Sequence, residues 1–475
     1  MSFCKHIVGL IGTVMLSLAL AGTAYAQDAE NITSQVTLHS DTLNTDKIAD
    51  GSLSTHSQAT DATLQLESDI PMGFLYIKYR NIPKEAGSLN GTTAIAKKGF
   101  LHEYIPLDGL QSATLTYPDI DIAEISIYSE GDVPKDVQIW QIGPESTDIM
   151  LFSTHSDDDQ LFFAGLVPTY VARGACVRVA YFVNHFDTYN RMHELLDGLW
   201  HCGLTNYPLI SPLPDGYSES IEGAEAYFEK QGFSHENILN LQRLYLNRCK
   251  PKVVVLHDIE GEYGHGAHML NTVSFLEVVE KADAEQFVPE KIYIHLYEEY
   301  PLTLDIDTPL DFFEGKTAFQ VSQEAFDFHK SQHWTWFKGW LYGKNNNITS
   351  STQIKTYNPA QYGLYFSSVG ADSGIGDMLE NVVTVAAQKE EEDRQAKAAE
   401  QKRLEELEKL EEQLEKERHA NEQSALLEAE ARERERLASE ALYRRQQTGI
   451  LIIGTVCLAM GLILIFYIIK KRSQN

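Results

Sequence analysis

Gly449 to Ile469 is a run of 21 residues without a charged side chain, and Lys470-Lys471-Arg472 follows it at once. Coiled as a helix, it reaches about 30 Å, the thickness of a bilayer's hydrocarbon core. A run of this length and apolarity is expected to span a membrane at 449–469. Lys and Arg gather on the cytoplasmic side of spans, which puts the tail 470–475 inside. At the other end, Lys5 and His6 precede the apolar stretch Ile7 to Ala21, and Ala24-Tyr25-Ala26 stands before Gln27. That pattern reads as a signal peptide over 1–26. The expected arrangement is a single pass through the cell membrane, with the bulk of the chain outside and the C-terminus cytoplasmic. The export signal and compact plan look bacterial, which leaves the sequons at Asn31, Asn90 and Asn347 without a role.

Before the span lies a tract over 386–447 rich in Glu, Lys, Arg, Ala, Gln and Leu, with neither Pro nor Gly to break a helix. Glu405 and Lys409, and Glu412 and Lys416, stand four apart in the favourable order. Leu404, Leu407, Leu410 and Leu414 make a short apolar seam that decays beyond Leu414. The tract is expected to be a charged helical stalk or coiled coil, able to self-associate through its first half. The formal net charge of −29 excludes nucleic acid as a partner, because phosphate recognition needs clustered Lys and Arg. Once Cys4 and Cys457 are set aside, Cys176, Cys202 and Cys249 remain. Three thiols imply no disulfide framework, and their spacing fits no zinc motif.

The rest divides by texture. Residues 27–145 read as β structure: Phe74 to Tyr79 and Ala123 to Tyr128 are β-branched and aromatic, and Asp50-Gly51, Asn90-Gly91, Asp108-Gly109 and Gly131-Asp132 are turn signals. Many short strands with regular turns predict a β-sandwich or jelly roll. The segments Asp50 to Thr55, Leu101 to Leu107 and Ile122 to Tyr128 resemble a discoidin-type, galactose-binding-like domain. From 146 to 385 strands alternate with helices. Strands are expected at Ile149–Ser153, Val177–Phe182, Lys252–Leu256 and Lys291–Leu296, and helices at Leu161–Arg173 and Arg191–Cys202. Such alternation predicts an α/β, Rossmann-like, mainly parallel sheet with its ligands at the carboxyl ends of the strands. The whole is a multidomain α and β chain: sandwich, α/β domain, stalk and one transmembrane helix.

Two strand ends carry the chemistry. Leu151-Phe-Ser-Thr runs into His155-Ser156-Asp157-Asp158-Asp159, and Val253-Val-Val-Leu runs into His257-Asp258, then Gly261-Glu262-Tyr263-Gly264-His265-Gly266-Ala267-His268. Three adjacent carboxylates repel one another unless they are solvated or hold a cation. Alone, the first run could equally be a polar loop with a helix cap. A second strand end with two histidines three apart, on one face of a helix start, reads instead as a metal site assembled from both.

Here the sequence resembles the PIG-L/LmbE-like zinc N-deacetylase family. His155-Ser-Asp157-Asp158-Asp159 is similar to that family's His-Pro-Asp-Asp-Glu motif, with Ser156 for Pro and Asp159 for Glu. Gly264-His265-Gly-Ala-His268 is similar to its Gly-His-x-x-His motif. Arg191-Met-His-Glu194 with Leu204, and His329-Lys-Ser-Gln332, resemble its intervening and late segments, all in order within 146–385. The resemblance implies His155, Asp158 and His268 as ligands of Zn2+ or another divalent metal. It implies Asp157 as general base, His265 as general acid or oxyanion partner, and Tyr263 polarising the carbonyl. Arg191 and Asp159 would shape the site or bind substrate. Ala267 stands where the family often has Asp, which bears on His265. The implied activity is removal of an N-acetyl or other N-acyl group from an N-acetylglucosamine-type amino sugar or glycan outside the cell. The alternative is a catalytically degenerate, membrane-anchored carbohydrate-binding protein or adhesin. Trp334, Trp336 and Trp340 are expected to be core packing, and Arg191 with Glu194 an internal ion pair.

Overall fold

Two unusually long strands organise the N-terminal layer. The computed structural model describes residues 27–473, so the signal-peptide reading of 1–26 lies outside the described residues. Strands β1 (Thr37–His39), β2 (Ser57–Tyr79), β3 (Gly87–Leu89), β4 (Thr93–Ile95) and β5 (His102–Ser129) form one sheet in the order β1-β2-β5-β3-β4. Along β2 the partner number on β5 falls as the chain advances, from Ser57 opposite Ile122 to Glu67 opposite Ser112. Past Met72 a residue of β2 meets β5 on both sides: Tyr76 lies opposite Ser126 and opposite Tyr104. Leu64, Leu66, Leu75, Ile77, Leu115, Ile125 and Ile127 fill the core of this layer. Fewer and longer strands than expected result because Asp108 and Gly109, at φ +49 and +80, bend β5 without ending it. Asn90 and Gly91, also at positive φ, do make the tight turn between β3 and β4.

Next come β6 (Thr147–Ser153), β7 (Val177–Tyr181), β8 (Leu209–Ile210), β9 (Pro251–Leu256), β10 (Lys291–His295) and β11 (Pro301–Thr303). A small ribbon, β12 (Pro309–Leu310) with β13 (Lys316–Thr317), precedes β14 (Gln361–Ser367). The second sheet has seven strands in the order β11-β14-β10-β9-β6-β7-β8. Its middle, from β10 through β8, is parallel, and β14 and β11 are antiparallel additions at one edge. All residues of β6, β7, β9 and β10 are buried, as a sheet covered on both faces requires. Ile149, Leu151, Val253 and Val255 point to helices Leu166–Ala172, Tyr189–His201 and Ala318–Phe326. Met150, Phe152, Val254 and Leu256 point to helices His235–Cys249 and Gly266–Glu280. Each such fully buried side chain contributes about 1.5–3 kcal/mol relative to exposure.

The helix expected over Leu161–Arg173 is shorter, starting at Leu166, because Gly165 takes φ +84 and interrupts it. Gly174, at φ +76, ends it. A Cβ on Gly165 would lie 2.6 Å from Ile306 Cβ. Gly165→Ala is therefore expected to lower stability by about 1–3 kcal/mol, read as a shifted denaturation midpoint. Residues through Gln388 gather as one compact unit and those from Lys389 onward as another. In the second, the helix Val385–Arg472 continues through the charged tract into the apolar run with no break at Gly449. It is long and apolar enough to cross a membrane. Of the two expected pairs on it, Glu412 and Lys416 meet at 2.7 Å.

Candidate metal centre

Because β6 and β9 are parallel neighbours, with Met150 opposite Val254, the loops that leave their carboxyl ends emerge side by side. The helix Gly266–Glu280 binds both. Its Asn271 Nδ2 donates to Ser153 O and Thr154 Oγ1, and its Thr272 Oγ1 donates to His257 O. With His268, these residues stand at i, i+3 and i+4, one helix face turned to the strand ends.

The clamp brings three predicted residues together. His155 Nδ1 lies 3.0 Å from His268 Nε2 and 3.1 Å from Asp158 Oδ2, and the last two are 3.3 Å apart. All three side chains are buried. Their partners decide where the protons sit. His268 Nδ1 faces Glu262 Oε2 at 2.6 Å, and a carboxylate only accepts, so this nitrogen carries the hydrogen and Nε2 presents a lone pair. His155 Nε2 faces Asp215 Oδ1 at 3.4 Å, which likewise turns the lone pair of Nδ1 inward. Two lone pairs and a carboxylate oxygen thus converge, an arrangement that repels itself without a cation. Four ligands at about 2.0–2.1 Å around a tetrahedral ion stand about 3.3 Å apart, so the donor set and its spacing fit a divalent metal. With no metal bound, burial is outweighed by Asp158 and Asp215, which push the His155 imidazole up to about 10, so a proton takes the inward position that a metal ion would claim by displacing it. Asp158, against the cost of burial, is held well below the usual carboxylate range by His268 and His155.

Two other histidines are near enough to be ligands. His257 has both nitrogens engaged: Nδ1 donates to Glu262 Oε2 at 2.7 Å and Nε2 accepts from the Thr154 N–H at 3.0 Å. His265 Nδ1 accepts from the Ala267 N–H at 3.2 Å, so Nε2 holds the proton of the neutral ring. Burial, then the neighbouring His155 and His268, lower His265 to about 2.

The remaining predicted residues surround this cluster. Asp157 is buried and accepts from Arg191 Nη2 at 3.1 Å; burial raises its pKa, opposed first by Arg191. Asp159 is buried, bonded to Gln160 Nε2 and pushed well up by burial; Gln160 Oε1 in turn pairs with His329 Nε2 at 2.8 Å. Tyr263 sits at φ +48 between Gly261 and Gly264, a left-handed conformation that costs a bulky residue about 1–3 kcal/mol. Its ring packs edge-on to His265, His268 and Trp336.

Two expectations are corrected. Arg191 pairs with Asp157 and Asp215, not with Glu194. Glu194, one helical turn on, accepts from Ser331 N at 3.0 Å and Ser331 Oγ at 2.5 Å. The tryptophans do not form a core cluster: Trp334 is 84% exposed and Trp336 49%. Only Trp340 is substantially covered, against Phe162, because the helix Trp336–Tyr342 lies on the surface beside Tyr263.

Sequence reasoning missed Glu262, His295 and Asp215. Glu262 is fully buried and accepts from His257, His268 and His295, the last at 2.6 Å. These contacts hold it well below the usual carboxylate range in spite of burial. His295 ends β10, so the same strand-end rule that selected His155 would have flagged it. Asp215 arrives on a loop tied down where Gly266 N donates to Ser218 O at 2.8 Å.

No protein-family model matches this sequence, and no curated protein matches it. Among solved structures the chain is similar to the conserved protein TT1542 from Thermus thermophilus, at 14% identity over 47% of this chain and 97% of that one, with a TM-score of 0.30. It is similar to N,N'-diacetylchitobiose deacetylase from Pyrococcus horikoshii, at 14% identity over 46% and 83%, with a TM-score of 0.31. It is also similar to a deacetylase of the teicoplanin biosynthesis pathway, at 11% identity over 47% and 100%, with a TM-score of 0.33.

Proposed function

We propose that this protein is a metal-dependent N-deacetylase, loaded with zinc, that removes an acetyl or related acyl group from the nitrogen of an N-acetylglucosamine-type sugar outside the cell. The observation that carries the reading is the triad His155 Nδ1, His268 Nε2 and Asp158 Oδ2, mutually 3.0–3.3 Å apart, with the ring protons drawn outward by Glu262 and Asp215. Two imidazoles and one carboxylate are a catalytic rather than structural donor set, since they leave coordination positions open. A zinc ion held by these three would polarise the amide oxygen and acidify a bound water.

The chain's own residues do the rest. Asp157, adjacent in sequence to the ligand Asp158, takes the proton of the attacking water. Having gained it, the carboxyl can return it to the departing nitrogen, which leaves as an amine with the acyl group released as a carboxylate. Arg191 keeps Asp157 aimed. His265, neutral and with its proton on Nε2, donates to the oxyanion that develops on the carbonyl oxygen, and this favours the oxyanion role over the general-acid role. Removal of one such donor costs about 10²–10³ in turnover, so His265→Ala is expected to fall in that range with metal content unchanged.

Anchoring through 449–469, with Lys470-Lys471-Arg472 inside, would place this centre on the far side of the membrane. The test is acetate release from N-acetylated amino sugars by the full-length protein in detergent. Turnover should vanish with a chelator and return with zinc. Saccharide binding with no bound metal and no acetate release would leave a surface carbohydrate-binding protein instead.

A further inference from the structure

A cavity of about 760 Å³ lies away from the histidine–carboxylate cluster, between the N-terminal sheet and the α/β layer. Cavities of about 300–1,000 Å³ are the usual size of ligand sites. One wall is a sheet face, where Tyr76 stands opposite Ser126 and Lys78 opposite Glu124. The facing wall is aromatic: Trp200, Phe312, Phe313 and Phe328. Phe312 is 59% exposed and Phe328 38%, so neither is there to fill a core.

Charge selects among ligands. Five carboxylates and three lysines line the cleft, a net charge of −2. The lysines are spent within it: Lys135 pairs with Glu314, Lys316 with Glu324, and Lys78 with Asp197. Glu124, which accepts from the Gly51 N–H at 3.1 Å and is pushed up to about 7 by burial, and Asp136 make no close ion pair with these lysines. An elongated ligand here meets ring faces on one side, hydroxyl-compatible acceptors and donors on the other, and a formal excess of carboxylates over lysines.

We propose that this cleft is a second saccharide site, separate from the metal centre, that binds an oligosaccharide bearing free amino groups. Pyranose faces stack on Phe312 and Phe328, and an ammonium group meets Glu124 and Asp136. The choice of amino sugar also rests on the deacetylase reading, because such a chain is that reaction's product. A cleft that holds it would keep a partly deacetylated glycan on the protein between turnovers.

The experiment measures equilibrium binding of glucosamine oligomers, N-acetylglucosamine oligomers and a uronic-acid oligomer to the full-length protein. Glucosamine oligomers should bind tightest, with an affinity that weakens as salt rises, and the uronate should not bind. Phe312→Ala and, separately, Asp136→Asn, both at exposed positions, should each weaken that binding about tenfold. Both variants should hydrolyse an N-acetyl monosaccharide as the wild type does. Absence of glucosamine-oligomer binding, or binding indifferent to both substitutions, would overturn the proposal while leaving acetate release to decide the catalytic reading. Binding lost in both variants by a protein that releases no acetate would keep the cleft and remove the enzyme.

Discussion

Asp157→Asn leaves the cation in place and lowers turnover by about 10²–10⁴-fold, the range for loss of a positioned proton-transfer group. The asparagine is nearly the same size and can still accept from Arg191, so the buried pocket keeps its shape. What it cannot do is hold the water's proton. Metal analysis beside steady-state kinetics separates the roles: one zinc per chain with kcat reduced and KM little changed is expected. Loss of zinc in this variant would make Asp157 a ligand, and undiminished kcat would remove it from the mechanism. The same base predicts an acid limb in the rate profile. That limb reports the titration of Asp157 and should disappear from the residual activity of the variant.

Glu262→Gln is expected to weaken zinc binding about 10–100-fold, although Glu262 touches no metal in this account. One carboxylate fixes the tautomer of His268 and also takes the N–H groups of His257 and His295. Glutamine has one acceptor oxygen where three imidazole donors converge, so at least one buried donor loses its partner, at a cost of about 1–3 kcal/mol. Because Glu262 is held well below its unfolded range, its stabilising effect is complete above about pH 5 and is lost as the pH falls through the folded-state value. The variant should therefore be less stable than wild type at neutral pH, with the gap narrowing in acid. Wild-type zinc affinity in Glu262→Gln would mean that His268 is oriented by its helix alone.

What the sequence made readable follows from how local each signal is. An apolar run that ends in polar residues marks a strand and its functional end, and two such ends placed His155, Asp158 and His268 as candidates for one small volume. The period-free burial of β6 and β9 was visible in the same runs. Glu262 was not legible, because its importance comes from three imidazoles delivered by separate segments of chain. Asp215 depends on the path of a loop pinned at Gly266. The pairing of Arg191 was misread because spacing on one helix showed Glu194 three residues away and could not show Asp157 across the pocket. Asp108-Gly109 shows the same limit in the β layer, where a turn dipeptide bends a strand and shifts its register against the neighbour, with pairing resuming on both sides, Met72 opposite Leu110 and Phe74 opposite Pro106.

The measurement closest to the central claim is a crystal structure of the zinc-loaded protein with anomalous scattering recorded at the zinc edge. One ion bonded to His155 Nδ1, Asp158 Oδ2 and His268 Nε2 at about 2.0–2.2 Å is expected, with Asp157 beside the open position. An ion seated on other residues, or none at saturating zinc, would contradict it.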